Sequence, residues 1–325
     1  MFVVGGESLI DLKAEVALPD GTLIGHDGEN QIVMTAHPGG SPYNCAIALA
    51  KLGNPTGFLC PISTDAFGDY LLGPLAEAGV TPLLPERVKD YTTLAVVNFD
   101  ANHNARYGFY RSADGAMEAE KGIAALPEQL DLYQIGGFCP ILPDEAAVWL
   151  EIVRAAIAKG ATISIDPNVR PSLVDDFAGY KARLSAFLDL AHVVKVSEED
   201  LEALDSAKTI EQHAAGLLAR PNCQLVVVTL GEKGSRAFTR AGTAQAAIHA
   251  PPVFGDTVGA GDSLMAGILS WLHERGLLKP GKLDGLGDVS LSDMLHFGAV
   301  VAGINCGRKG CKPPTRAEVD AVLGK

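Results

Sequence analysis

Residues 254–269, FGDTVGAGDSLMAGIL, set three glycines and a carboxylate, Asp262, ahead of an apolar run, an order that suits phosphate chemistry. Gly255, Gly259 and Gly261 permit turns with positive φ and leave no side chain between the backbone and a bound anion. Leu264, Met265, Ile268, Leu269 and Leu272 follow at helical spacing, so the loop opens a helix. The free N–H groups of Gly259, Ala260, Gly261 and Asp262 then form an anion site at the positive end of a helix dipole. Asp262 is out of place in a site that only binds phosphate, because it repels one. It has a use in phosphoryl transfer, where a base must accept the proton of the attacking hydroxyl. Taken alone, Asp262 also reads as a helix N-cap, for which Asp is favoured.

A second polar constellation lies in the N-terminal half. Asp11 ends the first apolar run, where carboxyl ends of parallel strands line the crevice of an open α/β sheet. HPGGSPYNCAIALAKLG, residues 37–53, sets Gly39, Gly40 and Asn44 before a nearly all-apolar helix. The glycines let backbone approach a ligand, and Asn44 offers a hydroxyl both a donor and an acceptor. Asp11 suits one or two hydroxyls of a polyol. Each residue alone also has a structural reading, as strand-end aspartate, turn glycine or helix-start asparagine.

Continuous apolar runs at 2–5, 56–62, 132–136, 161–166, 192–196 and 225–230 read as strands covered on both faces. Helical patterns fall at 43–52, 66–78, 143–159, 199–204, 209–219, 259–275, 291–306 and 316–323. The alternation predicts one α/β domain over 1–325, with a mainly parallel sheet flanked by helices on both faces. Segments 12–38 and 88–112 break that rhythm with alternating, turn-rich patterns that read as hairpins, residues 100–104 (DANHN) being a turn. Two such excursions predict a small sheet standing on the main one and covering a cleft. Ordinary surface hairpins are the plainer reading of the same pattern.

A net charge of −13 argues against nucleic acid or an anionic membrane as partner. A chain this acidic must hold a polyphosphate by local devices: backbone N–H groups, a few cations and a divalent metal. No apolar stretch reaches the roughly 18 residues of a membrane helix. The N-terminus, MFVVGGESLIDL, lacks a basic region and reads as a first strand rather than a signal peptide. Six cysteines without metal-finger spacing point to free thiols in a reducing cytoplasm. VVGGESLID lacks the GxGxxG spacing of a nicotinamide-dependent dehydrogenase.

With PGGSPYNCAIALAKLG and DTVGAGDSLMAGIL in this order, the chain resembles the ribokinase-like (PfkB) carbohydrate kinase family over nearly its whole length. The resemblance implies ATP and Mg2+ as cofactors, Asp262 as catalytic base, and residues 259–262 as the anion hole. Arg170, in DPNVRPSL, matches an arginine near the phosphates or substrate. Asp11, Gly39, Gly40 and Asn44 match sugar-binding positions. Lys195, Ser197, Thr229, Gly231, Gly234 and Asn305 lie along the expected nucleotide site. The β excursions match a lid that in many members builds a homodimer interface.

GESLIDL, GGSPYN and DPNVRPSL look most like the fructokinase branch, as does GFYRSADGAM, whose Tyr110 and Arg111 would reach the sugar. The expected reaction is phosphorylation of a primary hydroxyl, fructose giving fructose 6-phosphate. A 2-keto-3-deoxygluconate or nucleoside kinase shares much of the pattern, and Arg106 or Arg111 suits a sugar-acid carboxylate bidentately. A non-catalytic sugar sensor is the alternative outside catalysis. Two departures stand out. The family's Asn-x-x-Glu stretch, which organises magnesium-bound water, reads Ser197-Glu198-Glu199-Asp200, leaving Asp200 to act through water with a shorter arm. The family's potassium site uses Asp256 and carbonyls around 305–314, where Pro314 replaces a frequent hydroxyl residue.

Overall fold

In the computed structural model residues 1–14, 33–99 and 105–324 are described. The first half holds β1 (Phe2–Gly5), β2 (Leu9–Ala14), β3 (Met34–Gly39), α1 (Ser41–Lys51), β4 (Thr56–Leu59), α2 (Ala66–Ala78) and β5 (Thr81–Pro82). Next come β6 (Thr93–Phe99), β7 (Ala105–Tyr110), α3 (Ala119–Ala124), β8 (Leu132–Gly136), α4 (Pro143–Ala158) and β9 (Thr162–Asp166). The second half holds α5 (Phe177–Leu190), β10 (Val193–Ser197), α6 (Glu198–Asp205), α7 (Ile210–Leu218), β11 (Leu225–Thr229), β12 (Ser235–Phe238) and β13 (Thr243–Ala246). It ends with α8 (Ala260–Glu274), α9 (Asp288–Cys306) and α10 (Arg316–Leu323).

Nine strands form the main sheet in the order β13-β12-β11-β10-β9-β8-β1-β4-β5, parallel except where β12 meets its two neighbours. The central strands are buried along their length, because helices cover both faces. Alternate side chains divide between two cores. Phe2, Val4, Leu225 and Val227 pack with α1, α8 and α9, whereas Val3, Val226 and Val228 pack with α4 and α5. The expected architecture is therefore present. α9 is long and apolar enough to cross a membrane by composition, yet most of its residues are buried.

The second sheet has four strands in the order β3-β2-β6-β7. It begins at Leu9 rather than near residue 12, which corrects the expected position of Asp11. The first strand stops at Gly5, and Gly6 with φ 142° turns the chain out of the main sheet. Asp11 thus belongs to the smaller sheet, opposite His37 of β3. The turn expected at 100–104 lies outside the described residues. Helix α5 was not expected, although Phe177, Tyr180, Leu184, Phe187 and Leu188 carry helical spacing and Asp176 caps its start. The antiparallel pair β12–β13 was also missed, its strands being four residues each with little apolar character.

Candidate active site

Two helices begin at the same place. α1 starts after Gly40 (φ 105°), where a Cβ would lie 2.7 Å from the Glu7 carbonyl oxygen. α8 starts after Gly259 (φ 73°), where a Cβ would lie 2.3 Å from Cys311 Sγ. Both positions therefore need glycine for conformation and for space. Asp262 sits in the first turn of α8 and meets α1 directly. Ser41 Oγ donates to its Oδ1 at 2.6 Å, and Asn44 Nδ2 donates to its Oδ2 at 3.0 Å. Burial pushes the Asp262 carboxyl up to about 6, while these hydrogen bonds and Lys195 pull it back.

Lys195, near the end of β10, is buried and paired at 2.6 Å with Asp166 at the end of β9. A Cβ at Gly261 would lie 2.9 Å from its Nζ, so the ammonium abuts the loop at 259–262. Asp166 Oδ1 is buried without a partner among the described residues. Asp200 closes a capping box with Ser197 at the start of α6, and its two oxygens accept the N–H groups of Val169 and Ser197, each at 2.7 Å. Its carboxylate therefore ties the strand ends of β9 and β10 together. Arg170 is exposed on that tied segment and hydrogen-bonds the Val169 carbonyl. Its charge reaches Asp166.

Asn305 is fully buried in α9, and it holds the loop before α8 from behind. Its Nδ2 donates to the Val258 carbonyl at 2.8 Å and its Oδ1 accepts the Lys312 N–H at 2.8 Å. Asp256 acts similarly, accepting from Val258 N–H at 2.9 Å and Gly310 N–H at 2.7 Å. Thr229 pairs with Ser197 at the carboxyl ends of β11 and β10, next to the turn carrying Gly231 and Gly234.

On the other side of Asp262 lie the smaller sheet and its neighbours. Asp11 Oδ2 stands 2.4 Å from where a Cβ of Gly39 would be, and burial pushes its carboxyl up to about 6. Tyr110 is exposed at the end of β7. Arg111 is half-buried and engaged: Nε and Nη2 bond Asp114 at 3.1 and 2.6 Å, and Nη2 also bonds Glu145 at 2.8 Å. The guanidinium lies over the Phe138 ring, 4.8 Å from its centre. Its Nη1 is buried without a partner among the described residues. Arg106 falls on β7, but its side chain lies outside the described ones.

Sequence reasoning missed four carboxylates or hydroxyls that shape this cleft. Glu7 is buried, and its oxygens accept the N–H groups of Ser41 at 3.2 Å and Phe138 at 3.0 Å. Burial pushes its carboxyl up to about 7. Ser41 sits in the GGSPYN run, one residue past the glycines singled out. Asp166 ends a strand read correctly as TISID, at the position that open α/β sheets use for ligands. Asp114, three residues after Arg111, carried the plain signal of an i,i+3 partner.

Similarity to known proteins agrees with this geometry. Residues 2–318 match the pfkB family carbohydrate kinase domain. A fructokinase-2 of Solanum lycopersicum is 31% identical over 294 residues, covering 88% of this chain and 87% of that protein. A fructokinase of Rhizobium leguminosarum bv. trifolii is 30% identical over 292 residues, covering 90% and 85%. The crystal structure of a fructokinase from Xylella fastidiosa with bound ATP superposes with a TM-score of 0.83 at 27% identity, covering 99% of this chain and 98% of that one. A ribokinase of Giardia lamblia, at 23% identity and TM-score 0.79, shares the fold. A buried carboxylate between two glycine-led helix starts accords with the match along almost the whole chain, which makes this protein a member of the pfkB family of carbohydrate kinases, phosphotransferases that act on a sugar hydroxyl.

Proposed function

We propose that the protein transfers the γ-phosphoryl group of ATP to the primary hydroxyl of a small neutral sugar, converting fructose to fructose 6-phosphate. The observation that carries this reading is Asp262, held by Ser41 and Asn44 at the mouth of the anion loop and pushed up to about 6. The sugar lies against Asp11, Gly39, Gly40 and Asn44, with its primary hydroxyl toward Asp262. As the hydroxyl oxygen attacks in line, Asp262 accepts its proton. The N–H groups of residues 259–262, with Lys195 behind them and Arg170 opposite, balance charge on the equatorial oxygens. The polyphosphate follows the carboxyl ends of β10 and β11, past Ser197, Thr229, Gly231 and Gly234, while Asn305 keeps the loop in shape.

Mg2+ fits the same region, since the free Oδ1 of Asp166 is a buried acceptor suited to metal-bound water, and Asp200 adds its charge beside it. When bound, the metal would neutralise phosphate charge. Potassium would sit between the loops that Asp256 ties together. The smaller sheet acts as a lid over the sugar and as the surface through which two subunits pair. Fructose is favoured over a sugar acid because Asp114 and Glu145 already engage Nε and Nη2 of Arg111, leaving only Nη1, which suits a hydroxyl rather than a carboxylate held by two nitrogens. A sensor has no use for a base in the anion loop.

ADP release measured with fructose, ribose, 2-keto-3-deoxygluconate, glucose and adenosine, each with and without potassium, tests the substrate. Turnover confined to fructose is expected, and preference for the keto-acid overturns the assignment. Asp262→Asn should bind sugar and ATP yet lose about 10²–10⁴ in kcat; near-normal turnover in the folded variant removes Asp262 as base.

A further inference from the structure

Among the described residues, Ser41 is the one whose hydroxyl reaches the proposed base and whose backbone is itself anchored by a buried carboxylate. Its Oγ donates to Asp262 Oδ1 at 2.6 Å, the length of a charge-assisted O–H···O⁻ bond. Its N–H donates to Glu7 Oε1 at 3.2 Å, and Glu7 Oε2 accepts from Phe138 N–H at 3.0 Å. Glu7 therefore fixes the first turn of α1 against the loop after β8. The close approach of Gly40 to the Glu7 carbonyl leaves this turn little room to shift.

We propose that Ser41 is a positioning residue that holds the base in one rotamer and stays bonded to it before and after proton transfer, with Glu7 as the anchor of Ser41. This rests on the reading of Asp262 as base. The two partners of Asp262 differ in a way that matters. Asn44 presents an NH₂ group, which only donates, so its bond favours the ionised carboxylate. A hydroxyl both donates and accepts. Ser41 donates to the ionised carboxylate, and it can turn to accept from the carboxylic acid once Asp262 holds the sugar's proton. The Ser41 proton never leaves its oxygen. No other side chain hydrogen-bonds Asp262 among the described residues. The groups facing Asp262 from the elements around it are Asp166 on β9, Lys195 on β10, Cys45 on α1 and Cys311 beyond α9, and none of them hydrogen-bonds its carboxyl among the described residues.

The test is the pH profile of kcat/KM, whose acid limb reports the base of the free enzyme. Ser41→Ala removes a donor to the ionised form, so the limb should move up by about one pH unit. At the plateau kcat should fall about tenfold, with KM for ATP unchanged. Ser41→Thr keeps the hydroxyl and should restore the limb. Glu7→Gln has one acceptor for two N–H groups, so it should move the limb the same way. Glu7→Gln combined with Ser41→Ala should move it no further than Ser41→Ala alone. Should Ser41→Ala fail to fold, Ser41→Cys, similar in shape and a poor donor, must show the shift instead. A limb at its wild-type position in Ser41→Ala or Ser41→Cys overturns the proposal, as does an additive shift in the double variant for the role of Glu7. Asp262→Asn separates the two readings: if it is inactive while the limb of Ser41→Ala stays put, the base stands and Ser41 falls.

Discussion

Replacing Lys195 with methionine keeps the length of the side chain and removes its charge, leaving Asp166 buried opposite an apolar group. Side-chain exposure is 8% for Lys195 and 4% for Asp166, and the pair is 2.6 Å apart. Breaking such a pair costs about 3–5 kcal/mol, because the remaining charge has no partner. Unfolding 325 residues at about 2.1 cal/mol/K each carries an entropy of roughly 0.7 kcal/mol/K, so Tm should drop by about 4–7 °C. Catalysis should suffer separately. Nζ stands beside Gly261, and loss of one preorganised charge at the transferring group costs on the order of 10²–10³ in kcat.

The second variant divides the two effects. Lys195→Met with Asp166→Leu replaces the pair by apolar groups and should recover most of the lost stability. It should recover none of the turnover, since the cation is still missing. Ligand-free thermal unfolding and ADP release, measured on the same preparations, supply both numbers. A Lys195→Met variant as stable as wild type would refute the buried pair. Turnover within threefold of wild type would refute its part in the anion hole.

Gly259→Ala asks a side chain to adopt φ 73° and to lie 2.3 Å from Cys311 Sγ, so α8 must shift. KM for ATP should rise and kcat fall, with sugar binding by calorimetry little changed; unaltered ATP kinetics would count against the cradle. The raised carboxyl of Asp262 also sets stability against activity. Its folded value, about 6, lies above the unfolded one, so its contribution to stability is complete below pH 4 and is lost as pH rises through about 6. Wild type should therefore lose stability relative to Asp262→Asn between about pH 4 and 6, with turnover climbing through about pH 6, and parallel stability curves would contradict the assignment.

How far the site can be read from sequence depends on how local its signals are. The glycine-led starts of α8 and α1 were legible because glycine spacing and the following apolar helices are contiguous. The same holds for the central strands, whose burial on both faces leaves uninterrupted runs such as LVVVT. What was not legible comes from pairings across the sheet. Lys195 and Asp166 are 29 residues apart, and Ser41 and Asp262 are 221 apart. Nothing local in SPYN marks its serine as a partner of a distant aspartate. Asp11 shows the reverse case: its type was read correctly, but Gly6 moved it from the main sheet to the smaller one.

Why a carboxylate sits at this point follows from what surrounds it. A base for a hydroxyl must be shielded from water, and that shielding protonates a carboxyl unless something opposes it. Here the starts of α1 and α8 meet at Asp262, so two helix dipoles present their positive ends to one negative charge. Ser41 and Asn44 add donors from one helix while Lys195 adds a cation from the sheet. Burial and these opposing groups leave the carboxyl near 6 instead of fully protonated. On the proposed reading, the same positive ends would also attract the phosphates of ATP. A phosphoryl group at this loop would bring further negative charge beside Asp262 and raise the proton affinity of the carboxylate. Asp262, if it is the base, would then be strongest with its substrate in place.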